Sequence, residues 1–517
     1  MNHFTLKDKV LAVLEPDASK REQWTQTLDL FPVSACSCVQ AFVSKIQQYK
    51  SENKKVMVAG DYDTDGILAT TIMVKGLRKY GLECGFYIPD RIREGYGLHE
   101  QTVKLVSQKG YHSIITVDNG VKAFPALELA HHLGLETIVT DHHTLEQEVP
   151  CDLLVHPTLM ETTFHTLCGA GVAYECMRAL GVDTTDMLEL AAIASIGDMM
   201  IVTGQTRALI QQGLRSLNQT RNHHIFELAN DRELNEVSVA FQIVPKLNAI
   251  GRLSNLANVN NVVRYFLTED LRDIVAFRNQ ITEVNNLRKR LSDEMLKHAR
   301  TKCYTNEDVL LIMDPSYHEG IIGLVAGSLC SQTGKPVIIM TKTPEGYKAS
   351  MRAPEGFDCM DFLGQYPSYV AYGGHKQAAG FTVSLNEYEM FRRYVRKRAM
   401  SYSWQPVPLV SLPIDMEELS IEAIESLDEL RPFGPGFTCP HFELKHPDIK
   451  SFYMFQNGKH GKYTLSNGIQ CMRFNQSEAD RQNVSRSVSS FIGNLQVNEY
   501  RSKKQATFII EQTKYDE

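Results

Sequence analysis

Closely paired cysteines are missing from this chain. Its 11 cysteines never fall in a C-x-x-C spacing, and the nearest two are Cys36 and Cys38. That odd, scattered set excludes a disulfide framework and a zinc ribbon and fits a reducing cytoplasm. No apolar run approaches the roughly 18 residues of a membrane helix; the longest, Leu190 to Val202, is broken by Gly197 and Asp198. Residues Met1 to Lys9 lack the apolar stretch of a secretory signal, so a cytoplasmic protein without a membrane association is expected. An excess of positive charge is absent too: 54 basic residues face 61 acidic ones, a net charge of −7. Any contact with nucleic acid must therefore come from a local basic surface. The hydrophobic fraction of 43% is enough to exclude wholesale disorder. A length of 517 residues, against about 150 per domain, leads to about three domains.

What is present is an alternation of short apolar runs and helix-like segments between about residues 55 and 200. Val56 to Gly60, Cys84 to Ile88, Ser113 to Val117 and Glu136 to Thr140 read as buried strands, with helices such as Leu68 to Tyr80 and Ala123 to Leu133 between them. Nearly continuous apolar strands separated by helices predict a parallel sheet covered on both faces. Ligands then bind beyond the carboxyl ends of the strands. Residues 269 to 302 lack both Gly and Pro, and Ile274, Phe277, Ile281, Val284, Leu291 and Met295 recur at helical spacing. One long amphipathic helix is predicted there, read as a connector between lobes. A second α/β block follows, with strands at Val309 to Asp314 and Val337 to Thr341. From about 405 the chain reads as short strands and turns. In its last part, from Lys445, 11 basic residues outnumber 7 acidic ones. Lys450, Lys459, Lys462, Arg473, Arg501, Lys503 and Lys504 interleave there with Phe452, Tyr453, Phe455, Tyr463, Phe474 and Tyr500. Cations and aromatics on a small β domain suit single-stranded nucleic acid; a solvated face over an ordinary core is the alternative.

Directly after the first strand stands Asp61-Tyr-Asp63-Thr-Asp65-Gly66. Carboxylates this close repel one another unless cations neutralise them. A calcium EF-hand is disfavoured, because the twelfth position from Asp61 is Ile72 and not the required Glu. Further strand-end or segment-end carboxylates are Asp118, Asp141 (followed by His142 and His143) and Asp198. Each alone reads equally as a helix cap. Successive α/β units bring such loops to one rim, and carboxylates with an imidazole suit Mn²⁺ or Mg²⁺ and phosphoester hydrolysis.

These segments resemble, in order, the motifs of the DHH phosphoesterase superfamily, and within it the RecJ family of single-strand-specific 5′→3′ exonucleases. The further matches are Pro89 to Leu98, Leu247 to Arg252, His318 to Gly323, Ser350 to Arg352, Gly373 to Gly380 (the DHHA1 signature), Arg431 to Gly436 and Leu495 to Glu499. The resemblance implies two α/β lobes (DHH and DHHA1) with parallel-type sheets joined by the long helix, plus a C-terminal OB-type β-barrel. The expected divisions are an N-terminal extension at 1–50, a DHH domain at 51–268, the helix at 269–302, DHHA1 at 303–400 and the OB-type domain at 401–517. It implies a pair of divalent cations, Mn²⁺ with Mg²⁺ as the alternative, on Asp61, Asp63, Asp65, Asp118, His142 and Asp198, with Asp118 bridging. His143 and His375 are expected at the scissile phosphate. Arg91, Ser350 and Arg352 are expected to hold a 5′-phosphate, and Asn248, Arg252, Lys376 and Gln377 the rest of the strand. A glycine turn over Gly373-Gly-His-Lys-Gln377 is expected to approach phosphate through its amides, with His375 and Lys376 supplying charge. The implied activity is exonucleolytic degradation of single-stranded DNA to mononucleotides in recombination and repair. The implied partners are single-strand-binding protein and a RecQ-type helicase, and the chain is expected to act as a monomer. The rival readings are a DHH/DHHA1 phosphodiesterase of short oligonucleotides or cyclic dinucleotides, a non-catalytic single-strand-binding relative, and a family II pyrophosphatase.

Overall fold

The computed structural model describes residues 5–231, 233–303, 307–456, 458–474, 476, 487–500 and 503–516; Arg501 lies outside them. The chain divides into two compact units, one of residues 1–88, 97–244 and 409–517, the other of residues 89–96 and 245–408. Among the described residues no helix is long and apolar enough to cross a membrane, and the cysteines are all free.

In the first unit the predicted strands form β1 (Val56–Ala59), β2 (Cys84–Tyr87), β3 (Ser113–Val117) and β4 (Glu136–Thr140), joined by β5 (Leu153–Val155). The sheet order is β2-β1-β3-β4-β5, and every pairing is parallel. Strands β1 and β3 are buried along their whole length, which is why their sequences do not alternate. Because β2 and β3 flank β1 on opposite sides, the strand order reverses at β1/β3, and the loops beyond these two strands open a crevice. Asp61 and Asp118 stand in those loops.

The second unit holds β6 (Leu310–Met313), β7 (Val337–Thr343), β8 (Gly346–Arg352), β9 (Ala371–His375) and β10 (Ala378–Val383), in the order β6-β7-β8-β10-β9. Only β6 and β7 pair in parallel; the other pairs are antiparallel. The sheet is therefore mixed, where parallel-type pairing was expected. The reason is chain length: Pro344-Glu345 and Lys376-Gln377 connect neighbours directly and leave no room for a crossover helix. The expected turn is displaced: Gly373 and Gly374 lie in the exposed edge strand Ala371–His375, and the chain turns at Lys376-Gln377. The long helix runs Leu271–Thr301 and lies inside this unit.

Residues 409–517 build β11 (Ser411–Ile414), β12 (His441–Lys445), β13 (Ile449–Phe455), β14 (His460–Leu465), β15 (Gln470–Arg473), β16 (Val488–Tyr500) and β17 (Lys503–Tyr515). The mixed sheet has the order β11-β12-β16-β17-β15-β14-β13. Among the described residues no ladder joins β11 to β13, as in a partly open OB barrel. Its core of Phe442, Leu444, Phe491 and Phe508 also takes in Leu6, Val10 and Leu11, from the helix Leu6–Leu14. The N-terminal segment is thus shared out: that helix completes the C-terminal core, while Phe42, Ile46 and Tyr49 of the helix Ser37–Ser51 are buried beside β5 and the helix Gly169–Ala179.

Arg207, on the helix Gly204–Thr220, joins these parts. Only 1% exposed, its guanidinium donates to the carbonyls of Trp24, Leu430 and Pro432, each at 3.0 Å. It lies over the rings of Trp24 and Phe437, which stack on each other 4.1 Å apart. Burial lowers its pKa to about 10, so it remains a cation at neutral pH. Replacement by methionine keeps the volume but leaves buried carbonyls without donors. Arg207→Met is expected to destabilise this region by about 3 kcal/mol or more. The measurement is the denaturant midpoint of Trp24 fluorescence in a Trp404→Phe background, which would stay put if the carbonyls found other donors.

Candidate metal centre and anion pocket

The rim beyond β1, β3 and β4 concentrates carboxylates. Asp61 is buried directly after β1. Asp63 caps the helix Thr64–Tyr80, accepting from the Gly66 N–H at 3.1 Å. Asp65, one residue inside that helix and 2% exposed, accepts the Gly169 and Ala170 N–H groups at 2.7 Å each. Those amides open the helix Gly169–Ala179, whose positive end suits a carboxylate. A Cβ at residue 169 would stand 2.5 Å from that of Asp118, so only glycine lets the helix start this close.

Asp118 is also 2% exposed and holds a left-handed backbone, φ +61°, while its N–H donates to the Thr140 carbonyl. A non-glycine residue in this conformation is uncommon and clusters at functional sites. It caps no helix: the next one starts at Phe124, with Ala123 before it. Asp198 ends the helix Thr185–Gly197. Onto these three carboxylates converges His142, whose Nε2 lies 3.1 Å from Asp118, 3.5 Å from Asp198 and 3.6 Å from Asp65.

Three sets bring one ligand-type atom per residue within 4.8 Å of one another: Asp61, Asp63 and Asp118; Asp65, His142 and Asp198; Asp118, His142 and His143. All six expected ligands are gathered, and Asp118 belongs to two of the sets. His143, expected at the phosphate, stands as near to Asp118 and His142 as a ligand would. Divalent cations fit this donor set of oxygens and imidazole, and its electrostatics call for them. Burial and then the charges of Asp65, Asp63, Asp61 and Asp141 push the Asp118 carboxyl well above its ordinary range. Burial, Asp65 and Asp63 push Asp198 to about 8. Burial lowers the His142 pKa, which keeps the imidazole neutral, as a ligand must be.

Asp141, on sequence a strand-end carboxylate or a helix cap, precedes no helix before Pro157 and instead positions the histidines that follow it. Buried to 1%, it accepts from the N–H groups of Val121, His142 and His143 and from His143 Nδ1 at 2.8 Å. Burial opposes the His143 cation, but the bond and charge of Asp141 outweigh it and raise that pKa. His156 Nε2 holds the His143 carbonyl at 2.9 Å. Gly169, Ala170 and His156 carried no signal in the sequence, because they meet the site only through tertiary contact.

Within the second unit, Arg91, Arg252, Ser350 and Arg352 line one cavity of about 370 Å³ with Lys348 and Glu319. Asn248, His375, Lys376 and Gln377 are not among its lining residues; the last three are exposed. Arg352 donates to Ser350 Oγ at 2.8 Å, and burial, with Arg91 among the nearby charges, lowers its pKa. Arg91 is presented by Asp90, a further unforeseen residue, which accepts from the Ile92 and Arg93 N–H groups and from Ser254 Oγ. The His318 to Gly323 segment serves closeness: a Cβ on Gly320 would lie 1.9 Å from the Arg252 carbonyl oxygen.

Raised carboxyl pKa values fix a sign for stability. Between the ordinary 3.8 and about 8 the folded state holds a proton at Asp198 that the unfolded chain releases. Stability is therefore full at low pH in this window and declines as pH rises. Melting temperatures in EDTA are expected to fall across it, and less steeply for Asp198→Asn. A flat profile in the unsubstituted protein would show that the carboxylates do not repel as described.

Comparisons with known proteins agree with this layout. Family models match residues 55–197 (DHH family, N-terminal domain), 306–400 (DHHA1 domain) and 410–512 (RecJ OB domain). The single-stranded-DNA-specific exonuclease RecJ of Bacillus subtilis is 29% identical over 94% of this chain, which spans 64% of that protein's length. Its namesake from Haemophilus influenzae is 26% identical, with 91% of this chain and 89% of that one covered. A crystal structure of RecJ in complex with Mn²⁺ from Thermus thermophilus superposes with a TM-score of 0.84 at 25% identity, covering 99% of this chain and 76% of that one. With the DHH, DHHA1 and RecJ OB models in this order along one polypeptide, the chain has the domain make-up of the RecJ exonucleases to which it is similar over most of its length.

Proposed function

We propose that this protein degrades single-stranded DNA from the 5′ end, hydrolysing phosphodiester bonds with a pair of divalent cations. The observation that carries the reading is the meeting of Asp65, Asp118 and Asp198 around His142 Nε2. Asp61, Asp63, Asp65, Asp118, His142 and Asp198 would hold the ions, with Asp118 shared between them. Bound there, Mn²⁺ or Mg²⁺ supplies a Lewis acid for phosphoryl oxygen and a water acidic enough to attack near neutral pH. The chain's residues do the positioning. Helix amides fix Asp65, and the strained backbone at Asp118 aims a carboxylate that the surrounding charges would otherwise expel. Asp141 orients His143, whose second ring nitrogen is then the group to meet a phosphate oxygen or an ion. His375, on the exposed strand β9, is proposed as a second phosphate contact.

The pocket of Arg91, Ser350 and Arg352 is proposed to take the 5′-terminal phosphate, since guanidinium forks match phosphate oxygens. Arg252, Asn248, Lys376 and Gln377 are proposed to hold the strand beyond it. In the C-terminal domain Tyr453 and Phe474 are exposed near in sequence to Lys450 and Arg473, a surface for base stacking and phosphate contact. The domain divisions given above are retained as part of this proposal, as are a cytoplasmic setting, a monomeric state and partnership with single-strand-binding protein and a RecQ-type helicase.

The deciding assay uses purified protein, Mn²⁺ and single strands labelled separately at each end. Label released first from the 5′ end, abolished by EDTA, is the expected result; faster cleavage of a dinucleotide than of a long strand would favour the short-oligonucleotide reading instead. Asp118→Ala is expected to lose at least about a thousandfold in rate while staying folded by circular dichroism. Arg352→Ala should abolish any preference for 5′-phosphorylated over 5′-hydroxyl ends, and an undiminished preference would move the end-recognition site elsewhere.

A further inference from the structure

The loops that carry Asp61 and Asp118 part where the acidic rim begins. The ladder between β1 and β3 ends at Ala59 and Thr116. Beyond it the two backbones bond away from each other. The Gly60 N–H donates to the Tyr87 carbonyl on β2, and the Asp118 N–H to the Thr140 carbonyl on β4, each at 3.0 Å. This divergence is the crevice of a sheet whose strand order reverses, and it leaves Asp61 and Asp118 on its opposite lips.

Asn119 spans it. The side chain is fully buried, and its Nδ2 donates to the Ala59 carbonyl at 3.1 Å and to the Val117 carbonyl at 2.9 Å. The left-handed backbone at Asp118 turns the chain back, so the amide reaches the carbonyl two residues before it as well as the neighbouring strand. Two carbonyl acceptors dictate which end of the amide faces them. The other end has no return: Asn119 Oδ1 is buried and has no hydrogen-bond partner among the described residues. An orphaned buried oxygen costs about as much as two such bonds contribute, so the amide adds little net to folding. Its effect lies in what it sets, the separation of the two strand ends.

The ligand sets divide along the same line. Asp61, Asp63 and Asp118 make one, drawn from both lips, and Asp65, His142 and Asp198 make another. The second set has bracing of its own. The Gly169 and Ala170 amides hold Asp65. Cys168, directly before them, meets Ser195 Oγ at 3.5 Å, on the helix that ends at Asp198. Neither brace passes through Asn119.

We infer that Asn119 is a positioning residue for one ion of the pair. It fixes Asp61 against Asp118 and so assembles the site on Asp61, Asp63 and Asp118, while the site on Asp65, His142 and Asp198 forms without it. Groups that orient metal ligands without touching the metal set its affinity by roughly ten- to a hundredfold. The inference rests on the proposed pair of cations and deepens it.

Asn119→Ala and the unsubstituted full-length protein, matched for circular dichroism, are each titrated with Mn²⁺ by calorimetry. Each is also followed by electron paramagnetic resonance, in which two Mn²⁺ ions sharing a carboxylate couple to each other. Both proteins are expected to take up a first ion with affinities within about twofold of each other. The second ion is expected to bind the variant at least about tenfold more weakly, and the coupled signal to give way to that of isolated Mn²⁺. Asn119→Ser, which keeps one donor, is expected to show the same split in lesser degree, and it carries the test if the alanine variant does not fold. Two ions bound as tightly as in the unsubstituted protein, with the coupled signal intact, overturn the inference and leave Asn119 a packing residue. Equal weakening of both ions also overturns it, because the rim has then collapsed as a whole. If the unsubstituted protein itself shows no coupled pair, the two-cation reading fails and the role of Asn119 falls with it.

Discussion

Crowded negative charge beyond β1 and β3 is the constraint around which the first unit is arranged. Asp61, Asp65 and Asp118 are each 2% exposed and close enough that neither Asp118 nor Asp198 ionises at its ordinary pH. A fold gains nothing from such a cluster unless cations occupy it. The neighbouring structure is spent on keeping the carboxylates in place. Two helix amides hold Asp65, a left-handed backbone turns Asp118 inward, and glycine at 169 allows the approach.

The same logic of supporting groups runs through the second unit, with the sign reversed. Arg91 and Arg352 repel each other, and Asp90 fixes the segment that delivers Arg91 by bonding to backbone amides and Ser254. Like charges held together by a fold mark a place for the opposite charge. Cations suit the acidic rim and an anion suits the basic pocket.

The C-terminal domain is tied into the first unit by buried contacts as well as by the chain. Arg207 bonds to the carbonyls of Leu430 and Pro432, and Arg431 pairs with Glu236. Val202, four residues after Asp198, donates its N–H to the Pro435 carbonyl at 2.8 Å. The Arg431 to Gly436 segment, which on sequence only marked the family, thus has a physical role. Gly434 and Gly436 pass so close to Val202 and Ile201 that a Cβ would meet them at 2.5 and 2.7 Å.

Much of the fold was legible because burial writes itself into sequence. Strand β1 is an unbroken apolar run, β3 and β4 are built around Ile114-Ile115 and Ile138-Val139, and the helix Leu271–Thr301 shows its stripe and lacks Gly and Pro. The acidic residues were legible as candidates because they follow strands or end a predicted segment, and parallel topology brings strand ends to one rim. Pairing direction in the second sheet was not legible, since an apolar strand reads the same in either direction. The glycines at 373 to 374 read as a turn, yet hydrogen bonding to β10 makes an extended strand of them. Sequence by itself determined which residue types and which order of elements were available, because these follow from local spacing and hydrophobicity. Tertiary structure alone decided which amides hold Asp65, which carboxylate orients His143 and which side chain spans the ends of β1 and β3. Those contacts join residues as far apart as 65 and 170, and no local pattern encodes them.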